Sequence, residues 1–264
     1  MRQVVRGAVG LTAIAVGVMG AAAQAADLPV KAPVAVPAFN WSGCYIGGNS
    51  GVASAHASFT TSIDTGNVFG QLNRQIIGAA GTGSNRNESF VGGGQIGCNL
   101  QIRRYVWGIE ADAQWLSAKP RIAVTGALFT GDPFTITNSV KNDWLATVRA
   151  RAGIVSDRSM IYVTGGVAFS DMGYTQAFSS PVIGPVSGGF GVSKTRTGWT
   201  VGGGWEYIIT NSWSVKAEYL HVRFSSFDAV GVLVPLAGAT QVIRGSVRES
   251  IDIGRVGLNY RIGG

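Results

Sequence analysis

Eight charged residues stand on the polar side of otherwise apolar alternating runs: Glu110, Asp112, Glu206 and Glu218 against Arg149, Arg151, Lys216 and Arg255. Four acids and four bases gathered in a low-dielectric interior would pair and hydrogen-bond, because an isolated charge there is costly. The same groups with water threaded between them would line a narrow ion path, and the residue types alone leave both open. Cys44 and Cys98 are the only cysteines, an even number that suits a compartment permitting disulfides. A cross-strand bond and two buried thiols are the alternatives, the geometry of the bond being restrictive. Catalysis has less to work with. His56 and His221 are the only histidines, no Cys/His cluster has metal-ligand spacing, and the glycine runs at Gly92 and Gly202 sit within strands rather than in a strand-to-helix phosphate loop. No catalytic residue, cofactor or metal is expected.

The elements that must position these residues are β-strands. About Thr210-Asn211-Ser212 the stretch 198–222 makes two alternating runs, with Trp199, Val201, Trp205, Tyr207, then Trp213, Val215, Ala217 and Tyr219 on one face. Glu206, Ser214, Lys216 and Glu218 take the other. A period of two with matched faces about a short turn predicts an antiparallel hairpin. Similar alternation predicts strands from Trp41 to about Phe59, Ser89 to Ile102, Val106 to Ser117, Lys141 to Val155, Met160 to Met172 and Glu249 to Ile262, eight in all. In the last, Val256, Leu258, Tyr260 and Ile262 oppose Arg255, Asn259 and Arg261, but Ile251 and Ile253 fall on the polar parity. A bulge or a position above the lipid would account for them.

Residues 1–25 read as a cleaved export signal: Arg2 and Arg6, apolar Gly7 to Ala22, then Ala23-Gln24-Ala25 of small-x-small form. The apolar run falls short of the roughly 18 residues of a membrane helix. Its removal lowers the formal charge from +7 to +5, since two arginines leave. Residues 26–40 read as a Pro-rich periplasmic leader, and 41–264 as one β domain, rich in glycine (39) and poor in charge (13%). An exported chain with mean hydropathy +0.23 and no later apolar helix can enter a membrane as a closed barrel.

A lipocalin-like soluble barrel shares the alternation. It has no need, however, for three short connections alternating with four long ones, nor for aromatics at both ends of its apolar face. The expected fold class is therefore all-β, an eight-stranded antiparallel transmembrane β-barrel with short periplasmic turns and four long extracellular loops. Lipid then meets the apolar face, with Trp107, Trp115, Trp144, Trp199, Trp205, Tyr207, Trp213 and Tyr219 as an aromatic girdle. The eight charges become the lumen network. Lys119, Arg121, Lys141, Lys194, Arg196, Arg223 and Arg248 gather at the outer rim, facing lipopolysaccharide phosphates or merely solvent. His221-Val222-Arg223 lacks the His-x-Ser spacing of barrel enzymes that trim lipid A. Segments 76–84, 179–193 and 230–240 are Gly-rich and apolar, suited to packing over the mouth or touching another cell. An exported chain without a basic helix argues against nucleic acid, and oligomeric state is left open.

The segments FNWSGCYIGGNSG (39–51), GGGQIGCN (92–99), GIEAD (108–112), GWTVGGGWEY (198–207), NSWSVKAEYLHV (211–222) and RVGLNYRI (255–262) resemble the Omp25/Omp31-type outer-membrane β-barrel family of alphaproteobacteria. They touch every strand region except the fifth. The resemblance implies an OmpA-like eight-stranded barrel, abundant at the cell surface and described as structural or porin-like. It also implies folding by the barrel assembly machinery, with Tyr260 the nearest counterpart of the family's terminal aromatic signal. The expected function is a structural surface protein contributing to envelope integrity, its lumen largely closed by paired charges. A small porin-like channel and an adhesin or surface ligand-binding protein are the alternatives.

Overall fold

The computed structural model describes residues 39–66, 68–180, 186–234 and 241–262. The expected signal segment, and the leader as far as residue 38, lie outside them. Ten strands and one helix follow in order: β1 (Gly43–Ile63), α1 (Gln71–Ala80), β2 (Gly83–Ile102), β3 (Tyr105–Ala118), β4 (Arg121–Ala127), β5 (Pro133–Ser156), β6 (Ser159–Ser180), β7 (Val186–Ile208), β8 (Trp213–Phe224), β9 (Phe227–Val234) and β10 (Gln241–Ile262). The ring runs β1-β2-β3-β5-β6-β7-β8-β10, and β10 pairs back to β1 from Cys44↔Ile262 to Ile63↔Ile243. This closes the sheet and removes the free edges of an open one. Strand β4 continues the β3 stave along β5 after Lys119-Pro120, where proline has no N–H for the ladder. Strand β9 likewise continues β8 beyond Ser225-Ser226, along β10. Eight antiparallel staves result.

The staves are longer than the alternation predicts. Strands β1, β2, β5, β6, β7 and β10 have 20 to 24 residues, whereas crossing a bilayer takes about 9–11. Much of the sequence that reads as long inserts is barrel wall, with β1 running on to Ile63 and β10 starting at Gln241.

The reason these extensions do not read as strands is that the two faces exchange character part-way along. On β10, outward Val256, Leu258, Tyr260 and Ile262 are exposed and inward Arg255 and Asn259 are buried. Past Gly254 the outward residues become Asp252, Ser250 and Arg248, and the buried inward ones Ile253, Ile251 and Val247. Registers with β1 and β8 run unbroken through this point. Ile251 and Ile253 therefore need no bulge: they face inward above the apolar belt. On β1 the same exchange puts Ile46 and Val52 outside near the turn end, then Ala55, Ala57 and Phe59 inside near the mouth. An outer surface that turns from apolar to polar marks where lipid ends.

Strand β5 carries a bulge at Asp143-Trp144, where its register with both neighbours shifts. Asn142 and Leu145 consequently both point inward, and Trp144 lies outward beside Trp115.

Inside, the barrel is layered. Trp41, Val106, Met160, Tyr162 and Ile208 pack at the turn end. A charged layer follows, and then an apolar core that includes Val91, Leu116, Leu145, Leu220, Ile251 and Phe59. Near the mouth, Gln176 Nε2 donates to Asn138 Oδ1 (2.7 Å) and Thr61 Oγ1 (2.8 Å), while Asn138 Nδ2 donates to the Gly81 carbonyl (2.9 Å). Above them α1 inserts Ile77 among Phe69, Phe134, Ile136, Phe178 and Ile243. This helix has ten residues, no side-chain cap and no acid in its first turn, so it depends on packing rather than propensity. The apolar character of 76–80 thus serves packing over the mouth. Parts of 179–193 and 230–240 lie outside the described residues.

Candidate functional site

Register alone brings several charges together. Glu110 stands opposite Arg149, Glu218 opposite Arg255, and Glu206 opposite Lys216, all on the inward parity. All eight are buried, none more than 5% exposed. Neighbours along the wall are then supplemented by ties across the lumen. Lys216 Nζ reaches Glu110 at 2.8 Å rather than its register partner, and Glu206 instead accepts from Arg151 at 2.7 Å. Arg255 bridges Glu218 (2.6 Å) and Asp112 (3.1 Å), and Arg149 contacts Glu110, Asp112 (2.9 Å) and Glu218 (3.1 Å). Each acid has a base, so four negative and four positive charges meet in one layer.

Neutral groups join it. Tyr45 donates its hydroxyl to Glu110 and accepts from Arg151 (2.7 Å), Tyr162 donates to Glu218 (2.9 Å), and the Arg151 guanidinium lies 4.0 Å from the Tyr162 ring centroid. Thr147 donates to Asp112, Ser214 and Asn259 to Glu206, and Gln95 to Asn259. Gly97 and Gly204 make room: a Cβ on either would run into the hydroxyl end of Tyr45 or Tyr162. Sequence reasoning did not place Tyr45 and Tyr162 in the network, because aromatic residues fit either face. Their shared parity with Asn49 and Thr164 was the available signal.

A fifth buried acid stands apart. Glu249 faces inward above the apolar belt, and among the described residues its only hydrogen bond comes from Asn142 Nδ2 across the barrel, at 2.7 Å. Burial pushes its carboxyl up to about 7. Nothing in the local pattern marks it, since it lies where the inward face has already turned apolar.

Cys44 and Cys98 are register partners joined by a disulfide, outward and close to the turn end. The eight girdle aromatics are all exposed on the outer wall. Trp107, Trp205, Tyr207 and Trp213 lie toward the turns; Trp115, Trp144, Trp199 and Tyr219 lie toward the mouth. Eight residues separate Trp107 from Trp115, roughly 20 Å after a tilt of about 40°, close to an outer-membrane apolar band.

Of the seven rim bases, Lys119, Arg121, Lys141, Lys194, Arg223 and Arg248 are exposed. Lys141 is held by Asp143 at 2.6 Å. Arg196 departs from the expectation. It lies on the inward parity of β7, half-buried over Phe227, and donates to the carbonyls of Ser225 (3.0 Å) and Ser226 (2.6 Å). Lys194 shares that parity but is exposed, because β7 has no registered neighbour on that side between Phe190 and Thr197.

The sequence matches the family described as outer membrane protein beta-barrel domain over residues 11–239. It is 33% identical over 249 residues to the 31 kDa outer-membrane immunogenic protein of Brucella melitensis, covering 90% of this chain and 93% of that protein. The 25 kDa outer-membrane immunogenic protein of Brucella canis is 28% identical over 236 residues, covering 88% and 85% respectively. The crystal structure of the outer membrane protease OmpT from Escherichia coli aligns with a TM-score of 0.46 at 10% identity, over 85% of this chain and 98% of that one. Closed staves, apolar belt, the family match and the two Brucella relatives agree: the chain belongs to the outer-membrane β-barrel family of the Omp25/Omp31 type, and resides in the outer membrane with its mouth outside.

Proposed function

We propose that the protein is a structural surface component of the outer membrane, contributing to envelope integrity, with a lumen that does not conduct. The observation that carries this reading is the set of ion pairs that cross the lumen between non-adjacent strands at 2.7 to 3.1 Å. Apolar layers lie on both sides of it. At the periplasmic end the cavity between Trp41, Tyr45, Glu206 and Arg261 measures only ≈ 10 Å³, about the space of one water. A hydrated path would have to separate these buried opposite charges, which is costly.

The reading is non-catalytic: the eight lumen charges are taken up by one another, and both histidines face outward on the wall. Partners in this reading are outer-membrane lipid, lipopolysaccharide at the basic rim, and the barrel assembly machinery during folding. A deletion strain should become sensitive to detergent and recover with the wild-type gene. Unchanged sensitivity would reject the structural role.

A further inference from the structure

Both histidines of the chain and three arginines converge on one sector of the outer wall. Following the registers outward from β2 through β1 and β10 to β8, one row reads Arg86, His56, Ser250, Arg223, and Arg248 lies one step nearer the mouth beside Ser58. The next row toward the periplasm reads Glu88, Ser54, Asp252, His221. Below it come Phe90, Val52, Gly254 and Tyr219, the first apolar row. The arginines therefore stand just above the level where lipid ends.

Arg86 lies near enough to Asp252 to act on its carboxylate, yet no close ion pair takes up these charges: among the described residues, those within 4.0 Å include none to Arg86, Arg223 or Arg248. Asp252 is occupied within the wall, accepting from the Tyr219 hydroxyl at 2.6 Å and lying 2.8 Å from Nδ1 of His221.

Beneath this sector the wall is grooved. Three adjoining shallow, open depressions of ≈ 440, 500 and 700 Å³ run from Glu88 and Asp252 down to Trp213 and Tyr260. The upper two share Val52, Tyr219 and Gly254, and the lower two share Ser50 and Val256. Inside a bilayer such a groove is filled by acyl chain, because no water is there to fill it. What selects the lipid is its head.

We propose that this sector binds one glycolipid of the outer leaflet that carries two phosphates and several acyl chains, the phosphates on Arg86, Arg223 and Arg248 and a chain in the groove. The step from β2 to β8 crosses three strand spacings, about 14 Å. A single phosphate does not span that width, whereas two do. The assignment rests on the rim-contact reading above and narrows it to one sector, adding Arg86 and the groove and leaving out Lys119, Arg121, Lys141, Lys194 and Arg196.

The test folds the full chain into phosphatidylcholine vesicles containing lipid A, extracts it in mild detergent, and counts retained lipid by native mass spectrometry. Heat-modifiable gel mobility checks that each variant is folded. Wild type should retain one lipid A per barrel, at least tenfold over its dephosphorylated form. Arg86→Gln/Arg223→Gln/Arg248→Gln should lose that retention, and Lys141→Gln/Lys194→Gln should keep it. Equal loss in both variants would overturn the site while leaving diffuse rim contact standing; retention by the triple variant would also overturn it. Phosphatidylglycerol held as well as lipid A would overturn the two-phosphate assignment, and no retention by wild type would overturn site and rim reading together.

Discussion

Glu249 offers a stability change whose sign and size follow from its surroundings. Its carboxylate is buried on β10, above the apolar belt, with one hydrogen bond from Asn142 and none to its second oxygen. Burial raises the carboxyl from 4.5 to about 7. The folded state therefore holds this proton more tightly than the unfolded state does. Stability from this group is complete below about pH 4.5 and is lost as pH rises through about 7. At about 1.36 kcal/mol for each tenfold change in proton affinity, the loss approaches 3 kcal/mol, roughly, by pH 8. Glu249→Gln keeps an oxygen to accept from Asn142 and cannot ionise. In urea unfolding of the barrel in lipid vesicles, followed by tryptophan fluorescence, the variant should match wild type at pH 4.5 and exceed it by about 3 kcal/mol at pH 8. Identical midpoints at pH 8 would refute the reasoning, for they would mean that the carboxylate finds solvent or a partner.

Other expectations are shorter to state. Arg149→Met removes a base that contacts Glu110, Asp112 and Glu218; it should cost about 3–5 kcal/mol, since it leaves buried negative charge uncompensated. Adding Glu110→Gln should recover part of that loss in the same unfolding assay. Opening the Cys44–Cys98 bond by Cys44→Ser/Cys98→Ser frees a separation of 54 residues, and loop entropy sets an upper bound of roughly 4 kcal/mol on the loss. Alkylation of denatured, non-reduced wild type should leave its mass unchanged. Gly204→Val puts a side chain where the Tyr162 hydroxyl passes. It should lower the unfolding midpoint more than Gly254→Val, a position with open space.

Much of the wall was legible in the sequence because lipid and lumen impose opposite demands on alternate residues. Trp107 to Trp115 and Trp199 to Tyr207 show that alternation without interruption, so the staves of the apolar belt and the eight lumen charges could be read from it. The mouth half was less legible, and physics explains why. Ala55, Ala57 and Phe59 are inward where polar residues face in lower down, so a fixed face assignment fails although the period of two persists. At Asp143-Trp144 the bulge breaks the period itself. Helix α1 has neither cap nor charge signal, and its place comes from burying Ile77. Glu249 and Tyr45 owe their roles to Asn142 and Arg151 on other staves, contacts that no local pattern encodes.

The most direct test of a sealed lumen is single-channel recording of the folded barrel in planar bilayers. Ion pairs at 2.7 to 3.1 Å across the lumen predict no steady conductance from wild type. A steady conductance that Arg149→Gln or Glu206→Gln abolishes would contradict it, and would make those same residues the walls of a pore.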